Sequence, residues 1–418
     1  MSNTPKADET AFTAVEVFPV SEYTLRLARC RHLLASLCPE ADGLLICDKV
    51  HIYYLTGTLG TGLFWLPREG EPVLLLRKGT ERARLESPVR HILPFVSYRE
   101  LPGLTASVES PLGTVLAVDK NKFSWTMADM LQKRLPSLRF VGADDVLARA
   151  RAVKTPWEQE RLRTCGLIHS EVYDLVLPEL FAPGMSEQEL ASIYMAEVMS
   201  RGCDGLCRMN AHGEEMFYGY ASTGNNGLFP TPYNGPLGCR GLHPAVPFLG
   251  SWDCIWQKNQ CLSLDMGCQK QGYHTDRTQV YWSGAYRDIP AAIDRAQKIC
   301  QEILVSSLEL LRPGITPASL WANALEIARA HQVEDCFMGH GRDRVPFLGH
   351  GIGLTLDEWP ALARSFNEPL VEGMAIALEP KIAVPGLGMP GIEHTYLVQA
   401  DGPEPLTGTT MDICCLGD

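Results

Sequence analysis

The chain has 418 residues, 45% of them hydrophobic and 21% charged, with a formal net charge of −12 at pH 7. This length is typical of two domains, and the composition is that of a globular protein. The acidic balance and the absence of a Lys/Arg cluster argue against nucleic acid or an anionic membrane as a partner. Without an apolar run of about 18 residues or an apolar segment near Met1, the sequence predicts a cytoplasmic protein.

Strand-like and helical patterns alternate in the first part of the chain. Such alternation is typical of an α/β domain. The predicted elements are a helix over 23–38, strands over 43–47 and 51–57, a hairpin of 63–66 and 72–76, a strand over 114–118 and a helix over 125–135. We place the boundary near Ala148, which gives domains of residues 1–148 and 149–418.

A short motif occurs twice in the second domain. Pro183-Gly184 and Pro313-Gly314 are each followed two residues later by Ser or Thr and six residues later by Leu. Each copy joins two predicted helices, and each precedes a segment that carries candidate metal-ligating residues. This internal repeat predicts an α+β domain with pseudo-twofold symmetry.

The most informative stretch of the second domain is a pair of predicted strands that each carry one aspartate. Asp265 lies in an alternating apolar run and Asp276 lies in the returning strand. A hairpin that turns at Lys270 and Gln271 would place the two carboxylates directly opposite each other. Like charges in that position are destabilising, and a bound cation would reverse the effect.

The same arrangement recurs near the C-terminus. A hairpin centred on Gly386 would place Glu379 opposite Glu393, and His350 lies between the two hairpins in the run Gly349-His350-Gly351. Four carboxylates and one imidazole form an oxygen-rich site with enough negative charge to neutralise two divalent ions.

At these residues the chain resembles the M24 metallopeptidases, the "pita-bread" enzymes that include methionine aminopeptidase, aminopeptidase P and prolidase. The two-domain layout is similar to the aminopeptidase P/prolidase branch, which has a creatinase-type N-terminal domain. The resemblance implies five metal ligands, namely Asp265, Asp276, His350, Glu379 and Glu393.

The resemblance implies a hydrolase that uses two divalent ions. Manganese is the expected metal, with Co, Fe or Zn as alternatives. The two ions would polarise a substrate carbonyl and share a water. Glu379 would shuttle the proton of that water to the leaving amine. The substrate would be a short peptide cleaved at its N-terminal amide, as in Xaa-Pro aminopeptidase and dipeptidase, and the chain would form a homodimer.

Three positions differ from the pattern of the aminopeptidase P/prolidase branch. Asp357 and Thr231 stand where that branch carries histidines, and Gly391 replaces an arginine two residues before the last ligand. An ionised Asp357 cannot donate a hydrogen bond, but it could accept a proton or bind a cationic substrate amine. Asp357 is therefore a candidate catalytic and substrate-binding residue, and Thr231 a candidate substrate-binding residue.

These differences leave two alternatives to the peptidase. The first is a C–N hydrolase or lyase that acts on a small amino-acid derivative with the same metal site. The second is a peptide-binding module without metal. An empty site would leave the negative charge of the opposed carboxylates uncompensated, which argues against such a module.

Overall fold

The structure is a computed structural model that describes residues 12–211 and 218–417. The chain divides between Arg151 and Ala152 into two compact units. The boundary predicted near Ala148 falls inside the helix Asp144–Ala152. Among the helices of the described residues, none combines the length and apolar character that a membrane span requires.

The first unit contains one six-stranded mixed sheet. Its strand order is β4-β3-β2-β1-β5-β6, and the pairs β1/β5, β3/β4 and β5/β6 are parallel. The strands are β1 (Gly43–Ile46), β2 (Thr61–Pro67), β3 (Val73–Lys78), β4 (His91–Pro94), β5 (Val115–Val118) and β6 (Arg139–Gly142). The helices are α1 (Val20–Leu37), α2 (Lys49–Thr56), α3 (Thr80–Glu86), α4 (Leu101–Ala106), α5 (Trp125–Arg134) and α6 (Asp144–Ala152).

The sequence predicted six of these twelve elements, namely α1, β1, β2, β3, β5 and α5, but the strand predicted over 51–57 is wrong. This segment belongs to helix α2. The Asp48 side chain caps the helix by accepting hydrogen bonds from the backbone N–H groups of Val50 and His51, both at 3.0 Å. Gly57 ends it in a left-handed conformation with φ of 74°. The aspartate cap and the terminal glycine are helix signals that outweigh the β propensity of the apolar run.

The second unit contains two sheets, each covered by helices. A four-stranded sheet has the order β15-β9-β8-β7, and a five-stranded sheet has the order β11-β10-β12-β13-β14. The strands are β7 (Gly219–Thr223), β8 (Cys261–Lys270), β9 (Tyr273–Trp282), β10 (Phe347–Gly351), β11 (Glu358–Ala363), β12 (Ala375–Leu378), β13 (His394–Leu397), β14 (Glu404–Pro405) and β15 (Cys414–Cys415). The helices are α7 (Pro156–Glu171), α8 (Leu177–Leu180), α9 (Glu187–Ser200), α10 (Ala291–Leu310) and α11 (Pro317–Ala330).

The two helix pairs reproduce the internal repeat of the sequence. Gly184 and Gly314 both have φ of 100°, a conformation that favours glycine. Ser186 then caps α9 by accepting from the backbone N–H of Glu189, and Thr316 caps α11 in the same way. Helices α7 and α9 pack on the four-stranded sheet, and α10 and α11 pack on the five-stranded sheet. The predicted α+β fold with two related halves is confirmed.

A β-bridge joins the two sheets of the second unit. Thr278 of β9 and Glu393, next to β13, exchange two backbone hydrogen bonds of 3.2 Å. This bridge brings the two acidic hairpins together at the junction of the halves.

Candidate metal centre

Asp265 and Asp276 lie on the hairpin of β8 and β9, but not in the predicted register. Asp265 pairs with Thr278, and Asp276 pairs with Gly267. The prediction that the two aspartates face each other directly is therefore wrong. They are diagonal neighbours on the same face of the hairpin, close enough for their side chains to act on one site.

The turn explains the difference in register. It consists of Gln271 and Gly272, with φ of 51° and 84°. Two-residue hairpin turns with positive φ at both positions match the twist of the strands, and glycine is favoured there. The turn therefore lies one residue further along the chain than predicted. That shift moves the cross-strand partners by two positions, so both aspartates keep their face.

Glu379 and Glu393 follow the register in which the sequence places them. Leu378 pairs with His394 at the end of β12 and β13, and the next residues in this register are Glu379 and Glu393. Both side chains are buried. Glu393 Oε2 accepts a hydrogen bond of 2.9 Å from the Thr278 hydroxyl, which fixes this carboxylate at the junction of the sheets.

His350 lies on β10, next to β12, and its ring reaches the same junction. Its Nδ1 lies 2.9 Å from the carbonyl oxygen of Gly351. Since a carbonyl only accepts, Nδ1 donates this hydrogen bond, and Nε2 is the ring nitrogen left to bind a metal. Ligand atoms of Asp276, His350 and Glu393 lie within 4.8 Å of one another.

The centre of the acidic cluster is occupied by a lysine that the sequence analysis did not single out. Lys381 Nζ lies 3.2 Å from Asp265 Oδ2, 3.0 Å from Glu379 Oε2 and 2.9 Å from Glu393 Oε2. The lysine side chain is fully buried. Three of the five candidate metal ligands therefore already share one cation that belongs to the chain.

The electrostatics of the cluster follow from burial and from this one cation. Burial raises the pKa of Asp276 well above its ordinary value, and the neighbouring carboxylates raise it further. Burial also raises the pKa of Asp265, to about 6, although Lys381 opposes this effect. Burial alone would lower the pKa of Lys381, but the three carboxylates raise it well above its ordinary value. Lys381 is therefore a cation at neutral pH.

Gly391 leaves space for this lysine. It lies directly across the hairpin from Lys381. A Cβ atom on Gly391 would lie 2.5 Å from Lys381 Cγ and 2.8 Å from the carbonyl oxygen of Pro380. A side chain at position 391 would therefore displace the stem of Lys381 or the strand that carries it.

The residues present fit one divalent ion. Glu393 is 1% exposed, yet its Oε1 atom has no hydrogen-bond partner within 12–211 and 218–417. A buried oxygen without a partner costs free energy, and a metal bond would remove that cost. Asp276 and His350 supply the other donors, and this carboxylate–imidazole set suits Mn, Fe, Co or Zn.

The two remaining predicted residues each accept a hydrogen bond from a backbone N–H group. Asp357 Oδ1 accepts a hydrogen bond of 2.6 Å from the backbone N–H of Asn210. Burial raises the pKa of Asp357, and the hydrogen bond from Asn210 opposes this effect. The Thr231 hydroxyl accepts a hydrogen bond of 3.3 Å from the backbone N–H of Tyr233. One oxygen of Asp357 is thus already bonded to the backbone of Asn210.

The sequence does contain a signal for Lys381. In a strand, residues two apart point to the same face. Lys381 follows Glu379 by two, and Gly391 precedes Glu393 by two. A lysine on the ligand face of one strand, opposite a glycine on the other, could have been recognised before the structure was known.

Comparison with known families agrees with this geometry. Residues 160–400 match the model of metallopeptidase family M24, and residues 26–153 match the creatinase/prolidase N-terminal domain. The chain belongs to metallopeptidase family M24. The predicted family, fold and enzyme class are confirmed.

Several individual M24 proteins are similar over almost the whole chain. The Xaa-Pro dipeptidase of Pyrococcus furiosus is 25% identical over 379 residues, which cover 89% of this chain and 95% of the relative. The probable dipeptidase PepE of Mycobacterium tuberculosis is 27% identical over 401 residues, with 92% and 94% covered. The crystal structure of Xaa-Pro dipeptidase from Bacillus anthracis superposes with a TM-score of 0.77 at 18% identity, covering 94% of this chain and 99% of that one.

Proposed function

We propose that this M24 protein is a metal-dependent hydrolase that cleaves the N-terminal amide bond of short peptides. The observation that carries the proposal is the convergence of Asp276, His350 and Glu393 within 4.8 Å, next to Glu379. Two relatives similar along nearly the full chain are named as dipeptidases, which supports a dipeptide as substrate.

The proposed roles follow from the contacts at the site. Asp276, His350 and Glu393 hold a divalent ion, which when bound polarises the scissile carbonyl and lowers the pKa of the attacking water. Glu379 accepts the proton of that water and passes it to the leaving amine. Its Oε2 is bound to Lys381 at 3.0 Å, and its Oε1 faces His350 Nε2 at 3.9 Å. We therefore assign the proton transfer to Oε1.

Substrate binding is assigned to Asp357 and Thr231, as the sequence predicts. The Asp357 carboxylate suits the ammonium group of a peptide N-terminus, a pairing of opposite charges in a half-buried setting. Thr231 lies in the segment that follows β7, the strand on which Tyr220 pairs with Asp265. Its hydroxyl can donate to a substrate carbonyl.

Manganese is the ion we propose, with Co, Fe or Zn as alternatives, because carboxylate and imidazole ligands suit all four. The resemblance implies two ions, whereas the contacts of Lys381 fit one. A cytoplasmic location and a homodimer, without nucleic acid or membrane as partner, stay predictions from the sequence and the resemblance.

A peptide panel tests the proposed function. The purified protein is stripped with chelator and reloaded with Mn²⁺, and hydrolysis of Ala-Pro, Ala-Leu and Ala-Pro-Leu is followed by release of the free amino group. We expect cleavage of at least one dipeptide, lost on stripping and restored by Mn²⁺. Bound Mn²⁺ without cleavage of any peptide would instead favour the C–N hydrolase or lyase that acts on a small amino-acid derivative.

A further inference from the structure

We propose that the Lys381 ammonium takes the place of one of the two divalent ions, so that this chain binds a single ion through Asp276, His350 and Glu393. The inference rests on the proposed function only in taking these residues as metal ligands. It concerns how the chain itself neutralises its acidic cluster.

The first step is the set of contacts made by Lys381. An ammonium group has three N–H donors. Lys381 Nζ lies within 3.2 Å of one oxygen each of Asp265, Glu379 and Glu393. Two of these contacts, with Glu379 and Glu393, are hydrogen bonds, and the third, with Asp265, is an ion pair. A divalent ion bound to the same three oxygens would lie about 2.0–2.2 Å from each, in the space that Nζ fills.

The second step is the way in which the backbone fixes the lysine. Lys381 and Gly391 are opposite each other in the hairpin. The backbone N–H of Met338 donates a 2.9 Å hydrogen bond to the Lys381 carbonyl, which ties the strand to its neighbour. The side chain is fully buried, so a movement of the stem towards solvent would require its neighbours to shift. The glycine makes the space, and the packing holds Nζ among the carboxylates.

The third step is the balance of charge. Metal binding requires deprotonated ligands, and the four carboxylates Asp265, Asp276, Glu379 and Glu393 would in that state offset two divalent ions. With the ammonium in place, one divalent ion leaves a single negative charge, whereas two ions would leave a positive charge in a buried site. Burying an unbalanced charge is costly with either number of ions. With one ion bound, however, a positively charged group of the substrate can neutralise the remaining negative charge.

Glu393 Oε1, Asp276 and His350 remain as ligands for the ion. Glu393 uses Oε2 for Lys381 and Thr278, while its Oε1 has no hydrogen-bond partner among the described residues. The two oxygens of this carboxylate are thus divided between the ammonium and the ion. His350 Nε2 and Asp276 complete the remaining half of the cluster.

The test is the number of Mn²⁺ ions bound per chain. Wild type and Lys381→Ala are stripped with chelator and titrated with Mn²⁺ in a calorimeter, and the bound metal is counted by elemental analysis after desalting. We expect one ion in wild type and two in Lys381→Ala, because removal of the ammonium and its stem frees three ligands. The matched control is Lys154→Ala, which removes another buried lysine, one that pairs with Glu358 at 3.0 Å; it should still bind one ion.

Three results would overturn the proposal. They are two ions in wild type, none in wild type, or one ion in both wild type and folded Lys381→Ala. If Lys381→Ala does not fold, the wild-type count still decides, and Lys381→Gln provides a neutral side chain of similar length that should weaken the discrimination against a second ion. Peptide cleavage is measured separately, so a single bound ion without cleavage would reject the proposed function and leave this inference standing.

Discussion

Replacing Glu379 with glutamine is expected to lower kcat on a cleaved dipeptide by about 10²–10⁴-fold, the usual contribution of a positioned general base. The glutamine amide keeps the size of the side chain but cannot accept the proton. Glu379 is 4% exposed and is bound to Lys381, so the exchange leaves its position largely unchanged. KM is expected to change much less than kcat, because the lost group acts on the transferred proton.

The matched control is Glu404→Gln. Glu404 is also bound to a cation, Arg163 at 2.7 Å, but it lies on β14 outside the cluster. It should retain kcat within about twofold, since the loss of a partly exposed ion pair costs little. If Glu379→Gln retains kcat within about tenfold with Mn²⁺ bound, the assignment of Glu379 as the proton acceptor is wrong.

Replacing Lys381 with alanine is expected to lower the free energy of unfolding of the metal-free protein by about 3–5 kcal/mol. This is the cost of leaving buried charges without their partner. Asp265, Glu379 and Glu393 would all lose the cation that they share. Urea unfolding in the presence of chelator, followed by tryptophan fluorescence, measures the effect.

Addition of Mn²⁺ should restore more stability to Lys381→Ala than to wild type. Each bound ion stabilises the folded state by about 2.7 kcal/mol at a hundredfold excess over its Kd. Lys154→Ala is again the control, because it also loses a buried ion pair but should show no extra gain from Mn²⁺. Equal stability of metal-free Lys381→Ala and wild type would show that the ammonium does not hold the carboxylates together.

The fold could be predicted from the sequence where local signals agree. The helix pairs of the second unit, with caps at Ser186 and Thr316, follow from capping residues and an internal repeat. The segment 51–57 was mistaken for a strand because its apolar residues have β propensity. Its helical form depends on Asp48, which lies before the segment, and on Gly57 at its end. Residues that flank a segment decided its structure.

The site could be predicted only in part. Asp276, His350 and Glu393 were recognised from the resemblance and converge in the structure. The hairpin register of Asp265 was wrong by two positions, because the turn is set by φ at Gln271 and Gly272 rather than by the spacing of the aspartates.

Lys381 was missed for a different reason. Acidic residues in apolar strands stand out in a sequence, whereas a lysine beside them is normally a solvated side chain. Its burial depends on Gly391. The hairpin loop separates the two residues in the sequence, but they face each other across the strands. Because Gly391 has no side chain, the Lys381 side chain on the opposite strand has room to place its charge among the carboxylates.

Lys381 also bears on whether the protein could do without a metal. From the sequence, an empty site was expected to leave the carboxylates uncompensated. Lys381 compensates three of them without any ion. Asp276, His350 Nε2 and Glu393 Oε1 still favour a metal, because the ion pairs of Lys381 are made with other atoms.

The most direct measurement is anomalous diffraction from crystals of the wild-type protein grown with Mn²⁺, with data collected on both sides of the manganese absorption edge. We expect one anomalous peak, bounded by Asp276, His350 and Glu393, with Lys381 Nζ in density among Asp265, Glu379 and Glu393. Two peaks at the junction of the hairpins, with the lysine side chain displaced from the carboxylates, would contradict it.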